Sequence, residues 1–407
     1  MSTNSEAFTI GVEEEYQIID PATRQLRSRA AHVLQRAQAV IGDAAQPELH
    51  LCQIETATPI CGSLGDVRRA LVQSRRAVMQ AAAKDGDWIA SAGTHPFSSW
   101  EEQQITPKAR YQRLAADYQQ LAREQIIFGC HVHIGLRDRE MKIQVLNRAR
   151  NWLAPILALA SNSPFWQGTD TGYASFRTEL WARWPISGPP PVFASFADYN
   201  GLLQALIDTG SLEDATKIYW DIRLPERTET LEFRVTDASS TVDGTVMIAG
   251  LVRALARTCY EQAIRDEPFL AIHRDLLHAA HWRAARHGVE KDLIDVTEAR
   301  AVPAPELIER FLSLVRPALE QEGDWEEISS LVLETLRRGT GAMRQRQAYQ
   351  QAGRLEDVVD LIVTETARGV FQPSSWMDHP HSLLPTPQRV SLGSDHGGSR
   401  ASPVPSA

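Results

Sequence analysis

Thr9-Ile10-Gly11-Val12-Glu13-Glu14-Glu15-Tyr16-Gln17-Ile18-Ile19 sets three consecutive glutamates inside an otherwise apolar, β-favouring run. Side chains alternate faces along a strand, so Glu13 and Glu15 project together while their neighbours point the other way. Glutamate is a poor strand former and costly to bury, so its presence here calls for a neutralising partner. About forty residues on, Gln53-Ile54-Glu55-Thr56-Ala57-Thr58-Pro59 repeats the pattern, and Thr228-Glu229-Thr230-Leu231-Glu232-Phe233-Arg234 does so again in the second half. A hard divalent cation, which takes oxygen ligands and keeps phosphate in its shell, is the simplest neutraliser. The competing reading is that Glu13, Glu14 and Glu15 line a solvated strand face.

The chain has 407 residues and a formal net charge of -9, which fits a sizeable enzyme and argues against a general nucleic-acid binder. There is no apolar run long enough to span a membrane, and Met1 to Glu6 lacks the basic and apolar regions of a secretory leader, so cytoplasmic residence is expected. Cys52, Cys61, Cys130 and Cys259 are scattered without CxxC spacing, as reduced core thiols would be.

Working outward, Thr9 to Ile19 reads as a strand, Arg29 to Ile41 as a helix, Leu49 to Thr58 as a strand, and Asp66 as the cap of a helix running to about Lys84. Trp88 to Ala92 and Ile126 to Leu136 follow as strands, with a helix from Pro107 to Gln125 between them. The apolar stretch Ile143 to Ala160 is a helix closed by Ser161-Asn162-Ser163-Pro164. Residues 165 to 216, rich in Trp, Gly and Pro, read as a long irregular excursion. Lys217 to Leu224 and Thr228 to Thr236 pair as antiparallel strands, and Asp243 to Arg368 is helical. The layout is an N-terminal extension over 1–7, one catalytic domain over 8–377, and a disordered Ser/Pro/Gly-rich tail over 378–407. Strands interleaved with helices and then a helical block give an α+β fold whose antiparallel sheet carries the site. Neither a glycine-rich dinucleotide turn nor a phosphate loop is present.

Glu13, Glu15 and Glu55 are candidate metal ligands because same-face carboxylates repel unless a cation lies between them. His131 and His133 share a strand face, an arrangement that suits metal binding. Glu232 offers a further carboxylate, and Arg234 two residues on can hold a phosphate against that metal, with Arg177 and Arg223 as further cations at the site. Asp221 and Asp237 are either orienting groups or turn residues. Cys130 lacks a positioned base and is read as buried.

Taken in order, Gly11-Val12-Glu13-Glu14-Glu15, Glu55-Thr56-Ala57-Thr58-Pro59, Gly93-Thr94-His95-Pro96, Gly129-Cys130-His131-Val132-His133-Ile134-Gly135, Asn162-Ser163-Pro164, Tyr219-Trp220-Asp221-Ile222-Arg223 and Thr230 to Asp237 resemble the glutamate-cysteine ligase type 2 family, including its bacterial carboxylate-amine ligases of the YbdK type. The resemblance covers roughly residues 8 to 370. It implies a glutamine synthetase-like catalytic domain, a curved antiparallel sheet forming a funnel with helices packed behind it, that holds ATP and Mg²⁺ or Mn²⁺. It implies Glu13, Glu15, Glu55 and Glu232 as metal ligands, with His131 or His133 joining them or touching the nucleotide. Arg234 becomes the phosphoryl-transfer arginine, and Arg223 and Arg177 become phosphate or carboxylate clamps. Glu48 matches an acidic position of more distant relatives. The implied reaction joins L-glutamate to an amine such as L-cysteine through an acyl phosphate, in a homodimeric enzyme, with the amine left open. Two other readings stand beside it: a metal-dependent hydrolase built on the His131/His133 pair, and a non-catalytic ligand-binding scaffold.

Overall fold

In the computed structural model, which describes residues 8–371, the opening strand β1 (Ile10–Ile19) is the centre of a seven-stranded sheet. Its other members are β2 (Ala45–Pro47), β3 (Gln53–Ala57), β4 (Trp88–Ala90) and β5 (Gly129–Gly135) in the first third of the chain. The two-residue strands β6 (Phe165–Trp166) and β7 (Thr169–Asp170) form a separate hairpin, and β8 (Ser187–Gly188) pairs in parallel with β9 (Tyr219–Trp220). The main sheet is completed by β10 (Ile222–Arg223) and β11 (Thr230–Asp237) in the order β10-β11-β5-β1-β3-β2, with β4 also on β1, and every pairing is antiparallel. The α+β class and the antiparallel sheet are as the sequence predicts. The extension over 1–7 and the tail over 378–407 lie outside the described residues.

β1 alternates as its sequence demands. Ile10, Val12, Glu14 and Tyr16 are buried on the back of the sheet, while Glu13 and Glu15 face the front. The solvated-face reading therefore fails for Glu14, which is fully buried against Arg75 of the helix Leu64–Ala83. Arg75 Nε lies 3.0 Å from Glu14 Oε2 and Nη2 lies 2.5 Å from Oε1. Tyr16 Oη and Thr245 Oγ1, each at 2.5 Å, donate the remaining hydrogen bonds to the carboxylate. Arg75 also donates to the carbonyls of Ser239 and Ser240. Burial raises the Glu14 pKa, but the Arg75 charge together with the hydrogen bonds from Arg75, Thr245 and Tyr16 outweighs it and holds the group below the usual carboxylate range. One ion pair thus fastens Leu64–Ala83 and the helix Val242–Ile264 to the back of β1.

Several boundaries differ from the sequence reading for local reasons. Ser63, not Asp66, caps Leu64–Ala83; Asp66 is the reciprocal member of a capping box. The helix expected over Pro107 to Gln125 divides into Ala109–Tyr118 and Gln120–Arg123 at Gln119, whose φ is 49°. Ile143 to Ala160 is two helices, Arg139–Ala149 and Leu153–Ala160, because Pro155 cannot donate back to Asn151 and the chain tightens over Arg150–Trp152. The excursion over 165 to 216 is not irregular throughout: it contains helices Phe176–Trp181 and Phe196–Asp208, capped by Ser175 and Ser195. Of Lys217 to Leu224 only Ile222–Arg223 pairs with β11. The helical block holds a hairpin, Asp292–Asp295 with Arg300–Pro303, whose turn is tied by Asp295 accepting from Thr297 and Glu298. All four cysteines are free and buried.

Removing one partner of a buried ion pair strands the other charge, a loss of about 3–5 kcal/mol. Arg75→Met is expected to cost that much in urea unfolding, and Glu14→Leu/Arg75→Met far less. A single substitution costing under about 1 kcal/mol would show that the pair does not anchor the helices.

Candidate active site

The front of the sheet opens into a cavity of about 580 Å³. Its acidic floor follows from register. Glu15 lies opposite Glu55, Glu13 opposite His131, and Glu232 opposite both His133 and Arg223. Five strands, β1, β3, β5, β10 and β11, therefore deliver their polar side chains to one face, and Glu13, Glu15, Glu55, His131, His133, Arg177, Arg223, Glu232 and Arg234 all line the cavity. Glu48 lines it too, from the segment between β2 and β3.

Two groups have the spacing of an ion site, with ligand atoms within 4.8 Å of one another: Glu13, Glu55 and His131, and Glu13, His133 and Glu232. Glu13 is common to both, and each histidine enters a different group. His131 Nδ1 is 3.2 Å from Glu13 Oε2, and His133 Nε2 is 3.2 Å from Glu13 Oε1. The Nε2 atom of His131 is buried without a hydrogen-bond partner. Glu15 stands beside the first group, with Oε2 accepting from Gly129 N at 2.7 Å.

The carboxylates are tuned apart. Burial and the Glu48 charge push Glu15 up to about 8. Burial together with Glu13, Glu48 and Glu15 pushes Glu55 well above the usual range, and burial raises Glu48. Burial raises Glu13 as well, but hydrogen bonds to His131 and His133 outweigh it and hold it well below the normal value. Burial and Arg234 lower His131 to about 4, so its imidazole is neutral and free to act as a ligand. A donor set dominated by carboxylate oxygen, with protonated members that a cation would ionise, fits a hard divalent ion.

The basic wall faces this floor. Arg223 binds Glu232 through two nitrogens, Nε at 2.7 Å and Nη2 at 3.2 Å, and spends Nη1 on the carbonyls of Thr216 and Ile218. Arg223 thus fixes Glu232 and the preceding loop, with little left to clamp a ligand. Arg234 Nη1 contacts Glu232 Oε1, the oxygen that Arg223 Nη2 also reaches, and its guanidinium lies 5.2 Å from the Trp181 ring. Arg177 approaches the same ring at 5.5 Å. Both keep a buried Nε without a partner. Burial raises the Glu232 pKa, but Arg234 and Arg223 overwhelm it, so Glu232 stays ionised. The Arg234 backbone N–H continues the ladder on the β10 side by donating to Asp221 O, while the pairing with β5 shifts register between Phe233 and Thr236.

Asp237 and Asp221 act behind the wall. Asp237 accepts from Asn162 N, Ser163 Oγ and Ser175 Oγ, each at 2.7 Å, and Ser163 Oγ accepts from Arg177 N. Gly93 exists for this contact, since a Cβ there would sit 2.7 Å from Asp237 Cγ. Asp221 turns away to His281, 3.0 Å from its Nδ1. His95 accepts from Phe97 N and Ser98 N and bonds Arg24 O, so it is structural. Sequence reasoning missed the roles of Trp181, Lys217 and Gln125 in lining the cavity, because none lies in an acidic or basic pattern. A second chamber of about 690 Å³ shares Glu13, His133, Arg227 and Thr228 with the first, and Ala57, Thr58, Ile60 and Thr230 also line it.

The fold is shared with ligases. A Francisella tularensis glutamate–cysteine ligase solved in complex with AMP superposes with a TM-score of 0.68 at 12% identity, covering 92% of each chain. A bifunctional glutathione synthetase from Pasteurella multocida gives 0.69 at 17% identity, covering 90% of this chain and 53% of that one. In sequence, residues 9–361 match the model of glutamate-cysteine ligase family 2. A Rhodopirellula baltica protein named "Putative glutamate–cysteine ligase 2" is 42% identical, covering 88% of this chain and 96% of its own, and a Frankia alni protein named "Putative glutamate–cysteine ligase 2-2" is 41% identical over 88% and 97%. The chain belongs to glutamate-cysteine ligase family 2 and is a carboxylate-amine ligase of that type.

Two outcomes are expected. A Cβ at Gly129 would meet Arg177 Nη2 at 2.4 Å and His131 Nε2 at 2.9 Å, so Gly129→Ala should leave the melting temperature near wild type while displacing both side chains and lowering turnover. Turnover equal to wild type in that variant would show that the two side chains tolerate displacement. A carboxyl whose folded pKa is raised contributes stability that is complete below its unfolded value and is lost as pH rises through the folded value. For Glu15 the window runs from 4.5 to about 8. In EDTA the melting temperature should therefore fall more steeply with pH across this window for wild type than for Glu15→Gln; parallel slopes would remove the assignment.

Proposed function

We propose that the protein is an ATP-dependent, Mg²⁺- or Mn²⁺-dependent ligase that joins the γ-carboxylate of L-glutamate to an amine, with L-cysteine as the default. The observation that carries this is the double engagement of Glu232. Arg223 and Arg234 hold the carboxylate from one side, and it faces Glu13 and His133 in a cation-sized group on the other. A phosphoryl group placed there would meet guanidinium and metal at once, as charge on a transferring phosphoryl group requires.

The two chambers suit the two kinds of substrate. The second chamber is assigned to the nucleoside, and a γ-phosphoryl group at its junction with the first would lie between Glu13 and His133. The AMP bound in the Francisella neighbour supports nucleotide use. The acid and the amine are assigned to the first chamber, beside Arg177 and Arg234. A carboxylate oxygen of glutamate forms a bond to the γ-phosphorus as the bridging P–O bond breaks and ADP departs. The amine nitrogen then attacks the acyl carbon of γ-glutamyl phosphate, phosphate leaves with the electron pair, and the nitrogen gives up its proton. Bound divalent cations would supply charge neutralisation, held by Glu13, Glu55, Glu232 and the two histidines, with Glu15 alongside. Arg234 steadies the transferring group, Arg177 the substrate carboxylate, and Arg223 keeps Glu232 in place. Trp181 orients both cavity arginines and excludes water from one side.

The hydrolase reading loses its central feature, because His131 and His133 enter separate groups instead of chelating one ion. The scaffold reading has to account for buried, unpartnered atoms on Arg177, Arg234 and His131 converging on one cavity. A homodimer acting on small molecules in the cytoplasm, without nucleic acid or membrane, completes the proposal. No helix among the described residues is long and apolar enough to cross a membrane.

ADP release with ATP, Mg²⁺ and L-glutamate should rise when L-cysteine is added and vanish in Glu232→Ala. Arg234→Lys keeps the charge but loses the planar fork, and kcat is expected to fall about a hundredfold. ADP formation only with other acids or amines would replace the substrates and keep the chemistry. No ADP with any pair, or full turnover in Glu232→Ala, would overturn the proposal.

A further inference from the structure

Three fully buried arginines are found away from the cavity, and two of them are neutralised. Arg75 meets Glu14, and Arg253 meets Asp324 and Glu322. Arg150 is as buried, at 1% exposure, yet no carboxylate among the described residues forms an ion pair with it. Its one hydrogen bond runs from Nη2 to Ile272 O at 3.4 Å, and its Nε is buried without a partner.

Two residues beyond Ile272, whose carbonyl Arg150 reaches, the chain carries another cation. Arg274, at the start of the helix Arg274–His287, is held only by carbonyls, donating from Nε to Pro189 O and from Nη2 to Ser187 O. Burial and the Arg274 charge bring Arg150 down to about 10. The surroundings repeat the imbalance. Arg148 donates to Glu267 O and to Gln144 while its Nε lacks a partner, and Asn151 donates to Leu270 O while its Oδ1 lacks one. Residues 148 to 151 thus carry three buried polar atoms without partners. A guanidinium removed from water without a counter-charge is among the costliest groups a fold can hold, and a planar fork of donors matches carboxylate or phosphate oxygens.

We propose that Arg150 and Arg274 form a binding site for a small oxyanion, a phosphate or carboxylate group, at the junction of the turn Arg150–Trp152, the segment 266–273 and the Ser187–Pro189 backbone. The oxyanion would supply the missing charge to both arginines. It stands apart from the cavity, none of whose lining residues takes part. The proposal is independent of the ligase chemistry.

The test is thermal melting of the full chain in potassium phosphate against potassium chloride at equal ionic strength. Wild type should show a saturable rise with phosphate. Arg274→Ala, an exposed and readily tolerated change, should raise the half-saturating concentration about tenfold or more. Arg150→Met should abolish the rise and, without phosphate, be no less stable than wild type, since an apolar side chain of similar length removes the uncompensated charge. The rise should survive Arg234→Lys in the cavity. A rise that Arg234→Lys removes and Arg274→Ala leaves intact, or no rise in wild type with phosphate or acetate, would overturn the site. Sedimentation velocity separates the sources: association that both phosphate and Arg274→Ala abolish assigns the oxyanion to a carboxylate of a second copy, and an unchanged state assigns it to a free ion.

Discussion

The pair formed by Glu14 and Arg75 sets the frame in which everything else is placed. Both side chains are withdrawn from water, and each carboxylate oxygen has more than one donor. An arrangement that complete has one geometry. It fixes the rotation of β1 about its own axis, and with it the direction in which Glu13 and Glu15 leave the strand. It also draws together Leu64–Ala83, Val242–Ile264 and the residues just after β11, the strand that carries Glu232 and Arg234. The chemistry on the front of the sheet is therefore aligned by an ion pair on its back.

On the front, the physical problem is opposite in sign. Glu13, Glu15, Glu48 and Glu55 crowd one end of the cavity, and three of the four relieve the repulsion by holding protons more tightly. At the other end Glu232 is held ionised by two arginines. The floor thus grades from proton-holding carboxyls to a permanently charged carboxylate across three strands, and Glu13 is the member common to both ends. Behind the arginines, Asp237 and its ring of Asn162, Ser163 and Ser175 position the backbone from which Arg177 projects.

Much of this was legible in the residues. Period-two alternation identified β1 and paired Glu13 with Glu15. The presence of Glu in β-favouring segments marked β3 and β11, and the ordered motifs gave the family. What could not be read was register, because antiparallel neighbours are set by long-range packing. The division of His131 and His133 between two groups follows from Glu13 lying opposite one and diagonal to the other. Glu14 looked like its neighbours in sequence, and only the arrival of Arg75 from sixty residues away gives it a different role. The motifs Gly93-Thr94-His95-Pro96 and Asn162-Ser163-Pro164 carried the resemblance but serve Asp237 and the local turns. A helix start was misplaced where capping chemistry outweighed periodicity, as at Ser63, and the helix that Ser195 caps went unread inside the excursion over 165 to 216.

Because β1 sends adjacent glutamates to opposite faces, its length is not free to drift. Insertion of one residue ahead of Glu13 would exchange the two faces, leaving Arg75 opposite a side chain meant for the cavity and delivering the structural carboxylate to the floor. An exposed loop has no such parity to keep. This strand can absorb only changes that preserve parity, so over evolutionary time its spacing should behave as a reading frame, with variation confined to replacement of one residue by another.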